Sequence, residues 1–253
     1  MLTNDMEKYY KFRGNVDLSS EIGKELFDRD INMILNNEIW CSKLSDLNDP
    51  FEGEYEMDFF NRNLNSTTSI MSFLGIKKKS NEVNNEYSDS VKNIFELSKN
   101  SGIFSLTTNY KNDLMWSHYA NSHSGFCIEY EFDKLNTFDI KYKEHFSSHL
   151  NCFEKVNYSD KPFNLNKIII KREDIIKFLF HKNIKWKYEN EWRIVTFISG
   201  KYSYNQNCIK SIIFGIKTNE EIINLMMKKL EPLNIEFYKM KKIGSYSLEK
   251  EKI

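Results

Sequence analysis

The chain has 253 residues, 40% of them hydrophobic and 15% aromatic, with 36 basic side chains against 36 acidic ones. That length and apolar share exclude a disordered chain and suit a domain with a substantial core. Zero formal net charge excludes the overall basic footprint of a nucleic-acid binder, leaving only a local patch open.

No apolar run approaches the ~20 residues of a transmembrane helix, and the opening MLTNDMEKYYKFRG has no signal-peptide core. Cys41, Cys127, Cys152 and Cys208 are scattered without a CxxC pair. These features predict a cytoplasmic protein with no membrane partner and no structural disulfides.

In chain order, YYKFRG (9–14) predicts a first or edge strand. SSEIGKELFDRDINMILNNE predicts a helix capped by Ser20, with Ile22, Leu26, Ile31 and Ile34 as its apolar points. EIWCSKLSDLNDPFEG (38–53) reads as a strand entering the turn Asn48-Asp49-Pro50. Residues 75–90 are polar, which predicts a surface loop within a helical insertion at about 55–100. GIFSLTTNY (102–110) predicts a buried strand. In FCIEYEF, Phe126, Ile128, Tyr130 and Phe132 alternate with Cys127, Glu129 and Glu131 across a second strand. FEKVNYS (153–159) predicts a strand, 166–186 a helix, and YENEWRIVTFI (188–198) a further strand. SIIFG then leads to a helix with Thr218 and Glu221 as capping box, a stop at Pro232, and the strand NIEFYKM. The expected class is α+β, a mixed sheet core with peripheral helices, in a single domain over 1–253.

Three motifs carry chemistry. On an extended YENEWRI strand, Glu189, Glu191 and Arg193 share one face at about 6.5–7 Å per step. Two carboxylates beside a guanidinium suit stabilisation of positive charge developing on a sugar, or a solvated face with a cross-strand ion pair. In FSLTT, Ser105 and Thr107 share a face and offer two hydroxyls to a ligand sugar or amide. In WSHYANSHSG, His118 and His123 stand about 140° apart on a helix, so they are not a two-ligand metal motif. His145 and His149 share a helical face without a third ligand, and no metal is predicted. Trp116 and Tyr119 suit either the core or a stacking surface for a flat ring. Asp49-Pro50 reads as a structural turn.

YYKFRG, SDLNDPFEG, FSLTTNYKNDLMWSHYANSHSGFCIEYEF, KNIKWKYENEWRIV and IKSIIFGIKTNEE together resemble the bacterial family of domain of unknown function 2971, in the right order along nearly the whole chain. A second resemblance, to ADP-ribosyltransferases of the R-S-E type, rests on Arg13, Ser105-Leu106-Thr107 and Glu189-Asn190-Glu191 standing in that order. It implies a split sheet and NAD as substrate. Arg13 would bind the phosphate or ribose side of the dinucleotide, and Ser105 would brace the nicotinamide ribose. Glu191 would stabilise the oxocarbenium-like transition state, and Glu189 would orient the acceptor, a protein or a nucleic acid. Thr107 would join the ligand's polar contacts, with Trp116, His118 and Tyr119 as the pocket wall. The middle motif ends in Thr rather than Ser, and the Arg-to-Ser interval is long.

The function expected is therefore an NAD-dependent ADP-ribosyltransferase or NAD glycohydrolase, in phage defence or a toxin-antitoxin system. The alternatives are a metal-dependent nuclease or phosphodiesterase using acids such as Asp46, Asp49, Glu129 and Glu131, and a non-catalytic partner-binding protein.

Overall fold

The computed structural model describes residues 7–56, 100–132, 152–164, 176–204 and 208–253. Most of the 55–100 insertion, residues 166–175 of the expected long helix, and the His145/His149 pair lie outside them.

The strands of the main sheet are β1 (Glu7–Arg13), β4 (Gly102–Thr107), β5 (Phe126–Phe132), β6 (Cys152–Lys155), β10 (Glu191–Thr196), β12 (Ile209–Phe214), β13 (Glu236–Lys242) and β14 (Leu248–Lys252). They lie in the order β14-β13-β12-β5-β1-β4-β10-β6. β12 and β13 run parallel, joined through a helix, and the other neighbours are antiparallel. The class is α+β with a mixed sheet. Its eight strands are continuous, whereas the transferase resemblance implied a split sheet. Three two-stranded ribbons flank it among the described residues. They pair β2 (Glu38–Cys41) with β11 (Gly200–Ser203), β3 (Tyr55–Glu56) with β8 (Phe163–Asn164), and β7 (Asn157–Ser159) with β9 (His181–Asn183).

The sheet is covered on both faces, which is why its central strands bury both sets of alternating side chains. One face carries Tyr9, Phe104, Leu106, Phe126, Ile128, Tyr130, Ile194, Ile212 and Phe214. Against it pack α1 (Glu21–Leu35), through Phe27, Ile31 and Ile34, and α3 (Glu220–Leu230), through Ile222, Ile223, Met226 and Leu230. The opposite face carries Tyr10, Phe12, Cys127, Ile213 and Met240 under the short helix α2 (Asp113–Tyr119), which contributes Met115 and Trp116.

Local chemistry sets the helix ends. Ser20 caps α1 by accepting from the Gly23 amide at 3.0 Å. Ile22, expected among its apolar points, is exposed, because the buried stripe begins one turn later at Phe27. At α3 the cap is Asn219, accepting from the Glu221 amide at 2.9 Å. Thr218, expected to cap, donates instead to the Gly125 carbonyl at 2.7 Å and ties the helix start to β5.

One strand expectation and one helix expectation change. FEKVNYS divides at Val156 into β6 and β7, which join different sheets. The described part of 166–186 holds no α-helix: a 3-10 turn (Ile176–Phe180) leads into β9 and a second 3-10 turn, Ile184–Glu189. The four cysteines are free thiols.

Candidate functional site

β10 starts three residues later than the alternation of YENEWRIV suggests. Tyr188 and Glu189 close the 3-10 turn, and Asn190 takes the left-handed conformation with φ 45° before Glu191 opens the strand. Asn is among the residues that tolerate that region best. Glu191 and Arg193 therefore share a sheet face, while Glu189 reaches the same place from the turn.

What unites them is Lys182 of β9. Its ammonium lies 2.7 Å from Glu189 Oε2, 3.2 Å from Glu191 Oε2 and 3.1 Å from Glu52 Oε1. Arg193 completes the cluster: Nε is 2.8 Å from Glu191 Oε1, Nη2 is 3.0 Å from Glu191 Oε2 and 2.7 Å from Glu52 Oε1, and Nη1 donates to the Leu179 carbonyl at 2.6 Å. All five side chains are at least nine-tenths buried. Charges in such a setting persist only when paired and hydrogen-bonded. Two cations among three carboxylates meet that need for most oxygens, and Glu52 Oε2 is left buried without a hydrogen-bond partner.

The two carboxylates of the Glu-Asn-Glu segment are held differently. Burial would raise Glu191, but Arg193 first and then Lys182, with a bond from the Ser105 hydroxyl, overcome it and hold the group at about 2. Burial wins at Glu189, whose carboxyl is pushed above the usual range despite Lys182 and a hydrogen bond donated by the Tyr119 hydroxyl. Tyr119, half-buried, is raised in turn by burial and by the Glu189 charge. Glu191 is thus a fixed negative charge, and Glu189 is a carboxylate able to hold or release a proton near a tyrosine hydroxyl.

Flanking bonds fix the frame. The Glu191 amide donates to the Tyr158 hydroxyl at 2.8 Å. The Asn112 side chain caps α2 through the Leu114 amide at 3.0 Å and donates to the Tyr188 carbonyl at 2.6 Å, which locks α2 to the turn bearing Glu189. His118 Nδ1 meets the Tyr188 hydroxyl at 2.9 Å, and the rings of His118, Tyr119, Tyr188 and Trp186 form an edge-to-face and tilted series beside the cluster.

Of the residues expected from sequence, Glu189, Glu191, Ser105 and Tyr119 converge. Thr107 pairs with Glu191 in the β4–β10 register, but its hydroxyl is occupied by the Asn109 amide at 3.2 Å. His118 stands at the edge, exposed. Arg13 does not join them: it faces α1 on the other side of the sheet, with Nε 4.0 Å from Asp30. The alternation of β1 dictates this, since Tyr10 and Phe12 take the cluster's face. Trp116 is not a pocket wall. It is fully buried, edge-on to Phe12 at 5.0 Å, with Nε1 donating to the Tyr110 carbonyl at 2.7 Å.

Sequence reasoning missed Lys182 and Glu52 as site residues and placed Arg193 beside the carboxylates without giving it a role. Glu52 stood in SDLNDPFEG, read as a structural turn, and Lys182 in a stretch read as helix. Asp49 does hold that turn, accepting from the Phe51 amide at 3.0 Å, and so aims Glu52 inward.

A family model described as Protein of unknown function (DUF2971) matches residues 115–194, from α2 into β10. The resemblance to that family holds over those residues. The DUF2971 match spans Tyr119, Lys182, Glu189, Glu191 and Arg193, and Glu52 and Ser105 reach the cluster from outside it. No curated protein and no solved structure matches the chain. Among the described residues no helix is long and apolar enough to cross a membrane, and no three His, Cys, Asp or Glu side chains are grouped to hold a metal ion.

Proposed function

We propose that the cluster is an active site that breaks the bond between nicotinamide and ribose in NAD+, passing ADP-ribose to water or to an acceptor. The observation that carries this reading is the unequal pair at Glu189 and Glu191, with the Ser105 hydroxyl on the second carboxylate. Loss of nicotinamide leaves positive charge on the ribose, and a permanently ionised Glu191 is suited to stabilise it. Glu189 takes the proton of the attacking hydroxyl, and the substrate displaces the Tyr119 hydroxyl from it. Glu52 Oε2 offers an acceptor for a ribose hydroxyl. Arg193 takes the place of Arg13 as the guanidinium of the site, acting by holding Glu191 in place.

The test is mass-spectrometric detection of nicotinamide released from NAD+ by the wild type and by Glu189→Gln, with cell extract supplying acceptors. Glu189→Gln keeps the size of the side chain and lowers turnover by about 100-fold or more. A silent wild type that also fails to bind NAD+ by calorimetry overturns the reading.

A further inference from the structure

α2 presents a second pair of reactive groups, away from Glu189. Ser117 Oγ lies 3.0 Å from His123 Nε2, and both residues are half-buried. Ser117 and Tyr119 are two positions apart on a helix, so their side chains diverge by about 200°.

The turn that delivers His123 is unusual. Asn121, Ser122 and His123 all have positive φ, at 47°, 53° and 72°. L-residues visit this region singly and seldom in succession, and such strain persists only where surrounding structure over-determines it. Here it does. The His123 amide donates to the Trp116 carbonyl at 3.1 Å, and the His123 carbonyl accepts from the Lys217 amide at 3.0 Å. The Gly125 amide returns to Ala120 at 2.8 Å. Gly215 packs so closely beneath that a Cβ there would stand 2.1 Å from the His123 carbonyl oxygen.

We propose that Ser117 and His123 form a nucleophile and base that react with esters carrying a small apolar acyl group. Burial first, and then the charge of Lys217, keeps the imidazole's proton affinity below its usual value, so the ring is neutral at pH 7 and free to accept a proton. The Ser117 hydroxyl donates to the Asp113 carbonyl at 3.0 Å at rest, and rotation of the O–H turns it to Nε2. Leu114, one turn earlier on the same helix face, is 43% exposed and gives the acyl group an apolar seat.

In the first step the Ser117 proton passes to His123 and the oxygen bonds to the ester carbonyl carbon. The ester C–O bond breaks, and the alkoxide leaves with the proton from the imidazolium. Water then gives a proton to His123 and its oxygen to the acyl carbon, and Ser117 leaves and recovers its proton.

The experiment is labelling of the full chain with an alkyl fluorophosphonate and mapping of the adduct by peptide mass spectrometry. The expected adduct is on Ser117, and it is absent in Ser117→Ala. Asn tolerates left-handed backbone, so His123→Asn preserves the turn while removing the base. Labelling of that variant slows by about 100-fold or more, with an unchanged circular dichroism melting curve. An unmodified Ser117 in the wild type, or equal labelling rates in wild type and His123→Asn, overturns the proposal.

Discussion

Ser105 and Arg193 stand directly opposite each other in the β4–β10 ladder, and both side chains end on the same Glu191 carboxylate. One neutral donor and one guanidinium on neighbouring strands thus fix the charge of that group. Lys182 arrives from a separate ribbon and spans the gap to Glu189 and Glu52.

Lys182 touches all three carboxylates and Arg193 two of them, so loss of Lys182 strips Glu189 of its cation while Arg193 still holds Glu191 and Glu52. Lys182→Met should destabilise the fold by about 3–5 kcal/mol, the cost of breaking a buried ionic cluster. Lys201→Met, which removes the solvent-exposed partner of Glu38 at 3.1 Å, should cost about 0–1 kcal/mol. Urea denaturation of both variants compares them directly. Equal costs would mean that the cluster adds nothing to stability beyond a surface pair.

Glu191 sets an acid limit. Its carboxyl is held at about 2 in the fold and titrates near 4.3 when unfolded. The unfolded chain therefore binds the proton first as pH falls, and the stabilisation present above about 4.3 is lost between there and 2. Urea midpoints across this range should fall more steeply with acid for the wild type than for Glu191→Gln. Parallel slopes would show that Glu191 is not held ionised.

Lys11 has a dependence of the same sign in an alkaline window. Its ammonium donates to the Ser105 carbonyl at 2.9 Å beside the Phe104 ring, and burial first, then Arg13, push it down to about 7. Between 7 and about 10.4 the unfolded chain holds more protons than the fold, so stability rises with pH across that window. Lys11→Met should remove the rise. Thermal melting at pH 7 and pH 9 for both proteins reads it, and an unchanged pH slope in the variant would contradict the assignment.

Trp116 tests the division between core and site. Trp116→Ala should cost about 3–5 kcal/mol, as expected for a fully buried ring. Trp116→Phe should lower the melting temperature yet leave nicotinamide release per folded molecule unaltered. A selective loss of activity with normal melting would return the indole to the ligand.

The strands were legible wherever apolar and polar residues alternate. In β5, Phe126, Ile128 and Tyr130 do meet α1 and α3, as their period implies. The burial of Glu129 on its other face was not legible, because its partners Lys8, Ser211 and Lys250 come from three other strands. Glu189, Glu191, Ser105 and Tyr119 could be nominated from their own chemistry. Lys182 could not, since a lysine two residues beyond Phe178-Leu179-Phe180 looks like a helix surface until β7 pairs with β9. Arg13 was misplaced by a parity error: its position along β1 is right for the site, but alternation sends it through the sheet to Asp30.

The bond from Arg193 to Glu52 joins positions 141 apart in the chain. Closing so long a loop is slow relative to local structure and confers no reward until the partners meet. Until then β10 carries a guanidinium with no counterpart from the Asn48–Glu54 turn. Docking of that turn should therefore come late in folding, and its release should be a local opening that unbalances the cluster without dismantling the sheet. Amide hydrogens around Glu52 and at the start of β10 should consequently exchange together, ahead of those in β5 and β12.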